Sequence, residues 1–496
     1  MSALWRHIHV DVENLARWVR TSARRSGYCE TLMSRMKAFA ELSKSQPLSI
    51  QLDWGPHDHA NARNDPAHNG LRDILASIIT WAPERLTKLL IQTTDLYGVW
   101  HAIGQQRYPC NQLLNVETFM VLQTGEFDAP EHIISGSELD NVSQMFPKLR
   151  HLWLGDQAEL DGNFLTRDSL SLRVPEPFCS LTTMYFRTEF SLEQAINLLT
   201  MCPRLEWVSL QISGICDDGN MVPPRVAHEN LKEMHLTVTS VGDTEAPILQ
   251  VFSKIRFPKL TLLRLNLETP FMTIDSTSNQ ELQDRFHPRQ FIDTFPSLQT
   301  LEVYTSEWDY HDGWMEPFFH SSSIIPLLLS APSITVFSFA SWAQHLGHII
   351  PILQFIKQSD TSVLPNLQSL YIGYRNRARD MEEGYEDIEA LWVPPDLGAT
   401  YSPSGKVIDS ESASLVFGRL AKLKHRVRII ADYDSFDKSP LMSFEQKLRR
   451  DYNMDIPFEV INSRAEDAST SPCHHCLISD VPPYVSYLNW YSNTHF

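Results

Sequence analysis

The chain has 496 residues, of which 43% are hydrophobic, so it is long enough to bury a large apolar core. Its formal net charge of −18, from 42 basic and 60 acidic residues, argues against general nucleic-acid binding and favours neutral or basic partners. The alternative is that the acidic side chains only keep a long surface soluble. Seven cysteines do not fit a secreted disulfide framework, and neither a signal peptide nor an apolar run of about 18 residues is visible, so we expect a cytoplasmic or nuclear protein with no membrane partner.

Residues 1–53 contain three short stretches with apolar residues. The stretches are Ala3–Val10, Arg17–Val19 and Ser45–Leu52. A polar segment from 55 to 70 follows and is typical of a surface loop. Its His57 and His59 have a spacing seen in some metal sites, but no second ligand pair lies nearby, so we expect no metal there.

Between residues 71 and 375 one sequence pattern recurs. It consists of a Pro, any one residue, an apolar residue, any two residues, an apolar residue, any one residue and a third apolar residue. The clear copies end at Leu154, Leu210, Leu265, Val303, Phe339 and Ile372. With weaker copies, the first apolar anchors are Leu86, Val116, Leu149, Leu181, Leu205, Leu231, Leu260, Leu298, Ile334 and Leu367, about 31 residues apart. Segments this small cannot bury their own apolar face and must stack on their neighbours, which predicts a solenoid.

Each predicted repeat is a helix, a Pro stop, a strand and a loop. The second and third apolar positions lie two residues apart and so share one side of an extended chain. Apolar residues at helical spacing precede most strands, most clearly after Ser191, which forms a capping-box pattern with Gln194. The other predicted helices cover 71–81, 248–255, 323–329 and 349–356. The expected fold class is α/β: a leucine-rich-repeat solenoid with a curved parallel sheet.

Toward the C-terminus the repeat weakens. We predict that residues 376–432 form an acidic insert and a cap for the repeats, in which a helical segment precedes a last strand at 426–431. Residues 433–496 are predicted to be a partly disordered extension. Cys473 and Cys476 supply half of a zinc-binding pattern without its second half, so we expect neither a zinc site nor a redox pair.

The outward positions of the predicted strands form a candidate binding surface. Buried anchors alternate with outward residues along each strand, and on neighbouring strands the outward residues tile one face of the sheet. Aromatic residues and Arg are prominent there, and these types dominate protein-binding hot spots. The candidate partner-binding residues are Trp153, Tyr185, Arg187, Trp207, His235, Arg264, Tyr304 and Tyr371. The alternative is that loops or the C-terminal segment cover some of these side chains, which then belong to a satellite core.

A loop at 304–320 is dense in aromatic residues, with acidic residues between them. It either folds over the outward strand positions and adds to a partner site, or it only caps the solenoid. The sequence alone leaves both interpretations open.

No catalytic signature is recognisable. The sequence has no nucleophile elbow, no zinc helix with paired histidines, no phosphate-binding loop and no dinucleotide-binding glycine pattern. We therefore expect no enzyme, no cofactor, and no catalytic or metal-binding residue.

The order of the motifs, from the Ala3–Val10, Arg17–Val19 and Ser45–Leu52 segments to the repeats, resembles the fungal F-box/leucine-rich-repeat family over about Leu4 to Ile430. The resemblance implies that residues 1–53 are a remnant of the F-box-to-repeat junction, with Ser45–Leu52 as the entry strand. The resemblance implies the substrate-binding subunit of an SCF-type cullin-RING ubiquitin ligase. In that family an F-box that docks a Skp-type adaptor precedes the segment corresponding to Leu4, so we expect the F-box to be missing or encoded upstream of Met1. A Skp-type adaptor and a cullin are expected partners only in the second case. The alternative is an F-box-less adaptor or scaffold unrelated to ubiquitin.

Overall fold

The described part of the chain is α/β, with a large parallel sheet and few helices. The chain divides into two compact units, Met1–Gln211 and Ile212–Phe496. A computed structural model describes residues 7–11, 28–54, 75, 78, 83–93, 99, 113–123, 133–134, 142, 145–155, 159–160, 176–213, 226–239, 255–268, 294–306, 328, 331–342, 366–367, 369–375, 400–401, 407–408, 426–432 and 458–461.

The first unit is built on a sheet whose strand order follows the chain. Its strands are β1 (His7–Asp11), β2 (Leu48–Trp54), β3 (Leu86–Thr93), β4 (Thr118–Gln123), β5 (Ile133–Ile134), β6 (His151–Gly155), β7 (Glu159–Leu160), β8 (Thr183–Phe190) and β9 (Trp207–Ser213). The sheet order is β1-β2-β3-β4-β6-β8-β9, and successive pairs from β1 to β8 are parallel. β5 and β7 form a separate parallel pair. The helices are α1 (Tyr28–Leu42) and α2 (Leu192–Met201), with a 3₁₀ turn at Glu176–Ser180.

The second unit repeats this arrangement. Its strands are β10 (Val226–Ala227), β11 (Glu233–Thr239), β12 (Ile255–Arg256), β13 (Leu262–Glu268), β14 (Thr300–Ser306), β15 (Val336–Trp342), β16 (Ser369–Arg375), β17 (Thr400–Tyr401), β18 (Val407–Ile408), β19 (Arg426–Asp432) and β20 (Phe458–Ile461). The sheet order is β11-β13-β14-β15-β16-β19-β20, with parallel pairs throughout. β10 and β12 form a separate parallel pair, and β17 and β18 an antiparallel one.

The predicted anchors form the core. All ten first anchors are buried, and the most exposed of them, Leu367, has an exposed fraction of only 4%. The strand register aligns the later anchors in rows, because each residue pairs with its equivalent on the next strand. One such row is Leu89, Phe119, Leu152 and Met184, and another is Met234, Leu263, Leu301 and Phe337. Burial of each such side chain contributes roughly 1.5–3 kcal/mol.

The Pro of the recurring sequence pattern lies in a tight turn. In Phe146–Leu149 the Leu149 N–H donates to the Phe146 carbonyl at 3.1 Å, and Pro147 holds the second turn position. The same bond closes the turns that end at Leu181, Leu205, Leu260, Leu298 and Ile334. Pro suits this position because its fixed φ matches the turn and its missing N–H is not needed there. Each turn therefore ends at the first anchor, close to the start of the strand that follows.

Neighbouring turns are also bonded to one another. The N–H groups of Arg150 and His151 both donate to the Glu117 carbonyl at 2.9 Å. Side-chain hydroxyls add a second bond across sequence separations of 29 to 39 residues, from Thr87, Thr182, Thr261 and Thr335 to carbonyls of the preceding strand segment. These bonds satisfy backbone groups that strand pairing alone leaves open.

Helix α2 begins where the sequence predicts. The Gln194 N–H donates to Ser191 Oγ at 3.2 Å, and the Ser191 N–H donates to Gln194 Oε1 at 2.8 Å, so the capping box is complete. Of the other predicted helices, the structure describes three buried helical residues: Leu75, Ile78 and Leu328. Ile255, predicted to end a helix, instead lies in β12, where it pairs with Val226. The helix at 349–356 lies outside the described residues.

The N-terminal segment contributes more than one strand. β1 pairs in parallel with β2, and α1 joins them, so the helix-and-strand pattern begins before residue 71. Arg85 holds the end of α1, since its guanidinium donates to the Ala40 carbonyl at 3.0 Å, to the Gln46 carbonyl and to the Ser43 hydroxyl. Lys44 then ends the helix with a left-handed φ of 56°.

At the C-terminal side, β19 agrees with the strand predicted at 426–431. β20 lies within residues 433–496, which were predicted as an extension. His57, His59, Cys473, Cys476 and the aromatic loop beyond Ser306 lie outside the described residues. Neither α1 nor α2 has the length and apolar content that a membrane-spanning helix requires.

Candidate functional site

The strand register places the predicted site residues on outward positions of neighbouring strands. Trp153 of β6 pairs with Tyr185 of β8, and His235 of β11 pairs with Arg264 of β13. Arg187, Trp207, Tyr304 and Tyr371 lie on β8, β9, β14 and β16. The backbones of all eight are described, whereas the side chains of Arg187, Tyr304 and Tyr371 are not. Four of the candidates lie in each unit.

In the first unit three aromatic side chains form a cluster centred on Trp153. Its ring stacks on Trp207 at a centroid distance of 5.3 Å and an interplanar angle of 15°, and it meets Tyr185 at 5.6 Å in a tilted arrangement. Trp153 and Trp207 have exposed fractions of 2% and 8%, while Tyr185 is half-buried. Aromatic pairs of this geometry contribute about 0.5–1.5 kcal/mol beyond burial. Trp153 and Trp207, which were expected to face outward, are thus buried, whereas Tyr185 keeps part of its surface accessible.

In the second unit three polar side chains form a network across β11, β13 and β14. Arg264 Nε donates to Glu302 Oε2 at 2.6 Å, and Arg264 Nη1 donates to His235 Nε2 at 3.1 Å. The exposed fractions of the Arg264 and Glu302 side chains are 17% and 6%, and His235 is buried. Burial, and next the Arg264 guanidinium, hold the pKa of His235 well below its usual range. The imidazole is therefore neutral and accepts the arginine hydrogen bond.

Sequence reasoning placed His235 and Arg264 on a partner surface and missed their binding to each other and to Glu302. The available signal was positional: all three residues occupy the third position of their strands, which the register aligns. When the strands are adjacent, a histidine, an arginine and a glutamate at equivalent repeat positions can form hydrogen bonds and an ion pair with one another. His235 and Arg264 thus stabilise the sheet, and replacing Arg264 is not a clean test of partner binding.

Other outward positions of the first unit remain accessible. His7, His9 and Lys88 are exposed. Ten more are half-buried: Ser49, Gln51, Leu90, Gln92, Thr118, His151, Thr183, Tyr185, Ser209 and Gln211. We call these thirteen residues the first-unit face. Polar, basic, aliphatic and aromatic side chains alternate on it, and its composition changes from strand to strand while the anchors beneath stay apolar.

Nucleophilic and metal-binding groups are sparse in what the structure describes. Burial, and next the nearby Cys179, raise the pKa of the Cys202 thiol, so this sulfur is a poor nucleophile. Within the described ranges no group of His, Cys, Asp or Glu side chains is placed to hold a metal ion.

Comparison with known proteins does not assign the chain to a family. No protein-family model matches the chain, and no curated protein matches it.

Proposed function

We propose that the parallel strands belong to a leucine-rich-repeat solenoid that acts as a non-catalytic protein-recognition module. The recurring Pro turn, the buried anchors and the bonds between neighbouring turns support the repeat assignment. Repeats of this kind place similar buried residues on each strand and let the outward residues differ from strand to strand.

The first-unit face carries the proposal. Its residues lie on adjacent, in-register strands of a sheet whose opposite side is filled by the anchors. A sheet of this kind holds outward side chains at fixed spacing, so a partner is met by a preorganised surface. Tyr185 is the half-buried aromatic residue of this face, and such residues often dominate binding energy.

By resemblance, the recognised partner is a substrate, and the chain is the receptor part of an SCF-type ubiquitin ligase. In the family that the chain resembles, an F-box docks the adaptor, whereas residues 7–11 and 48–54 of this chain form strands β1 and β2 of the sheet. An adaptor or scaffold without ubiquitin transfer is therefore the second candidate. Binding of a purified Skp-type adaptor to the chain, and to a version extended upstream in frame, separates the two: capture by the extended chain supports the receptor, and capture by neither supports the scaffold.

Recognition itself is tested by affinity capture of the tagged chain from its native cells, quantified by mass spectrometry. We compare the wild type with Tyr185→Ala on the face and with Phe39→Ala, a matched aromatic truncation on α1. Loss of a hot-spot contact costs about 2 kcal/mol, roughly thirtyfold in affinity. Tyr185→Ala should release a defined set of proteins that Phe39→Ala retains, with unchanged circular dichroism. Equal capture by both variants would refute recognition at Tyr185.

A further inference from the structure

Three nitrogen-bearing side chains of the first unit lie close together on its sheet. Lys88 of β3, Thr118 of β4 and His151 of β6 pair in one row, and Arg150 precedes His151 directly. Lys88 and Arg150 are exposed, while His151 is half-buried. We call Lys88, Arg150 and His151 the basic cluster.

The basic cluster is electrostatically unbalanced. Burial lowers the pKa of His151, Lys88 and Arg150 lower it further, and the opposing effect of Glu117 is smaller than that of Lys88. Within the described part of the chain, neither Lys88 nor Arg150 takes part in an ion pair of the kind that joins Arg264 to Glu302. The whole chain nevertheless has a net charge of −18. His151 is therefore neutral, and Lys88 and Arg150 are the two cations of the cluster on an otherwise acidic protein, so the site suits an anionic group.

The neighbouring row of the same face is apolar. Leu90 and Tyr185 are half-buried in this row, and the buried side chains of Met120 and Trp153 lie between them. Lys88 and His151 are two strands apart, or roughly 10 Å, which is the length of about three extended residues. One short segment of a partner therefore reaches both ends of the basic cluster and the apolar row beside it.

We propose that the first-unit face, together with the adjoining Arg150, binds an acidic segment of a partner protein, with Asp or Glu carboxylates over the basic cluster and an apolar or aromatic side chain over Leu90 or Tyr185. This inference rests on the proposed recognition function and gives its partner a chemistry. A nucleic acid would be repelled by the net charge of the whole chain, whereas a short peptide senses the local cations within the screening length of about 8 Å.

The test uses a short fluorescein-labelled peptide of glutamates interspersed with phenylalanines, with its binding followed by fluorescence anisotropy. Matched peptides carry glutamine or lysine in place of glutamate. The wild-type chain should bind the glutamate peptide, with weaker binding as salt is added, and should bind the other two at least about tenfold more weakly. Equal binding of the glutamine peptide, or displacement of the glutamate peptide by equimolar inorganic phosphate, would overturn the assignment.

Charge reversal then locates the site. Lys88→Glu combined with Arg150→Glu should abolish binding of the glutamate peptide and create binding of the lysine peptide. Lys37→Glu combined with Lys44→Glu is the control, because it changes the net charge equally at exposed positions of α1 and its end. An equal loss in this control shows a net-charge effect and refutes the site. If charge reversal has no effect while Tyr185→Ala still abolishes capture from cells, the acidic preference is wrong and the recognition function stands.

Discussion

The buried network of the second unit makes a quantitative prediction for Glu302→Gln. Glu302 is the carboxylate paired with Arg264, whose side chain has an exposed fraction of 17%, and His235 on the other side is neutral. The substitution removes the countercharge and leaves the guanidinium between two neutral groups. Removing one partner of a buried ion pair costs about 3–5 kcal/mol, and the partial exposure of Arg264 places this case near the lower limit, at about 3 kcal/mol.

The assay is urea unfolding followed by circular dichroism, with a double-mutant cycle. Arg264→Met leaves Glu302 buried and unpaired, so it should cost a similar amount. The double variant contains neither charge, and it should be about 2 kcal/mol more stable than the sum of the single effects predicts. A cost below about 1 kcal/mol for Glu302→Gln, or strict additivity, would show that the pair is solvated and refute the reasoning.

Four further predictions concern His235 of the same network, the anchor Leu265, the cap residue Ser191 and the cysteines Cys179 and Cys202. The pKa of His235 is lowered in the folded state, so as the pH drops below about 6.5 the unfolded chain binds the proton first and the free energy of unfolding should fall. In His235→Gln the midpoint of urea unfolding should depend less on pH than in the wild type. Leu265→Ala should lower the free energy of unfolding by about 2–5 kcal/mol in urea titrations, because Leu265 is a buried anchor. Ser191→Ala should cost about 1 kcal/mol by the same measurement, since the capping box is lost, whereas Ser191→Asp should retain most of the stability. Iodoacetamide should modify the exposed Cys179 rapidly and Cys202 only after denaturation, as peptide mass spectrometry would show; rapid modification of Cys202 in the native chain would contradict its burial.

The sequence predicts the parts of the fold that depend on local chemistry. The turn that ends at Leu149 and the capping box at Ser191 each involve residues within a few positions of one another, and both form as expected. The anchors follow because a strand needs a buried side at every second residue. β1 and β20 were not predicted as sheet strands, since their apolar runs lack the Pro pattern that identifies the others.

The candidate site is harder to predict because its contacts join residues far apart in the chain. The register brings Trp153 beside Tyr185 and Arg264 beside Glu302, and the latter two are 38 positions apart in the sequence. Alternation along a strand identifies outward positions, but it does not show whether neighbours on adjacent strands cover them. Trp207 and His235 were therefore predicted to be outward and are found to be buried.

The most direct test of recognition by the first-unit face is site-specific photo-cross-linking in native cells. A photo-activatable phenylalanine analogue replaces Thr118 or Ser209 on the face, or Leu42 at the exposed end of α1. The account predicts covalent adducts with the same partner protein from the first two positions and none from the third. Adducts from Leu42 alone would contradict it, because partners would then bind the helical side rather than the strands.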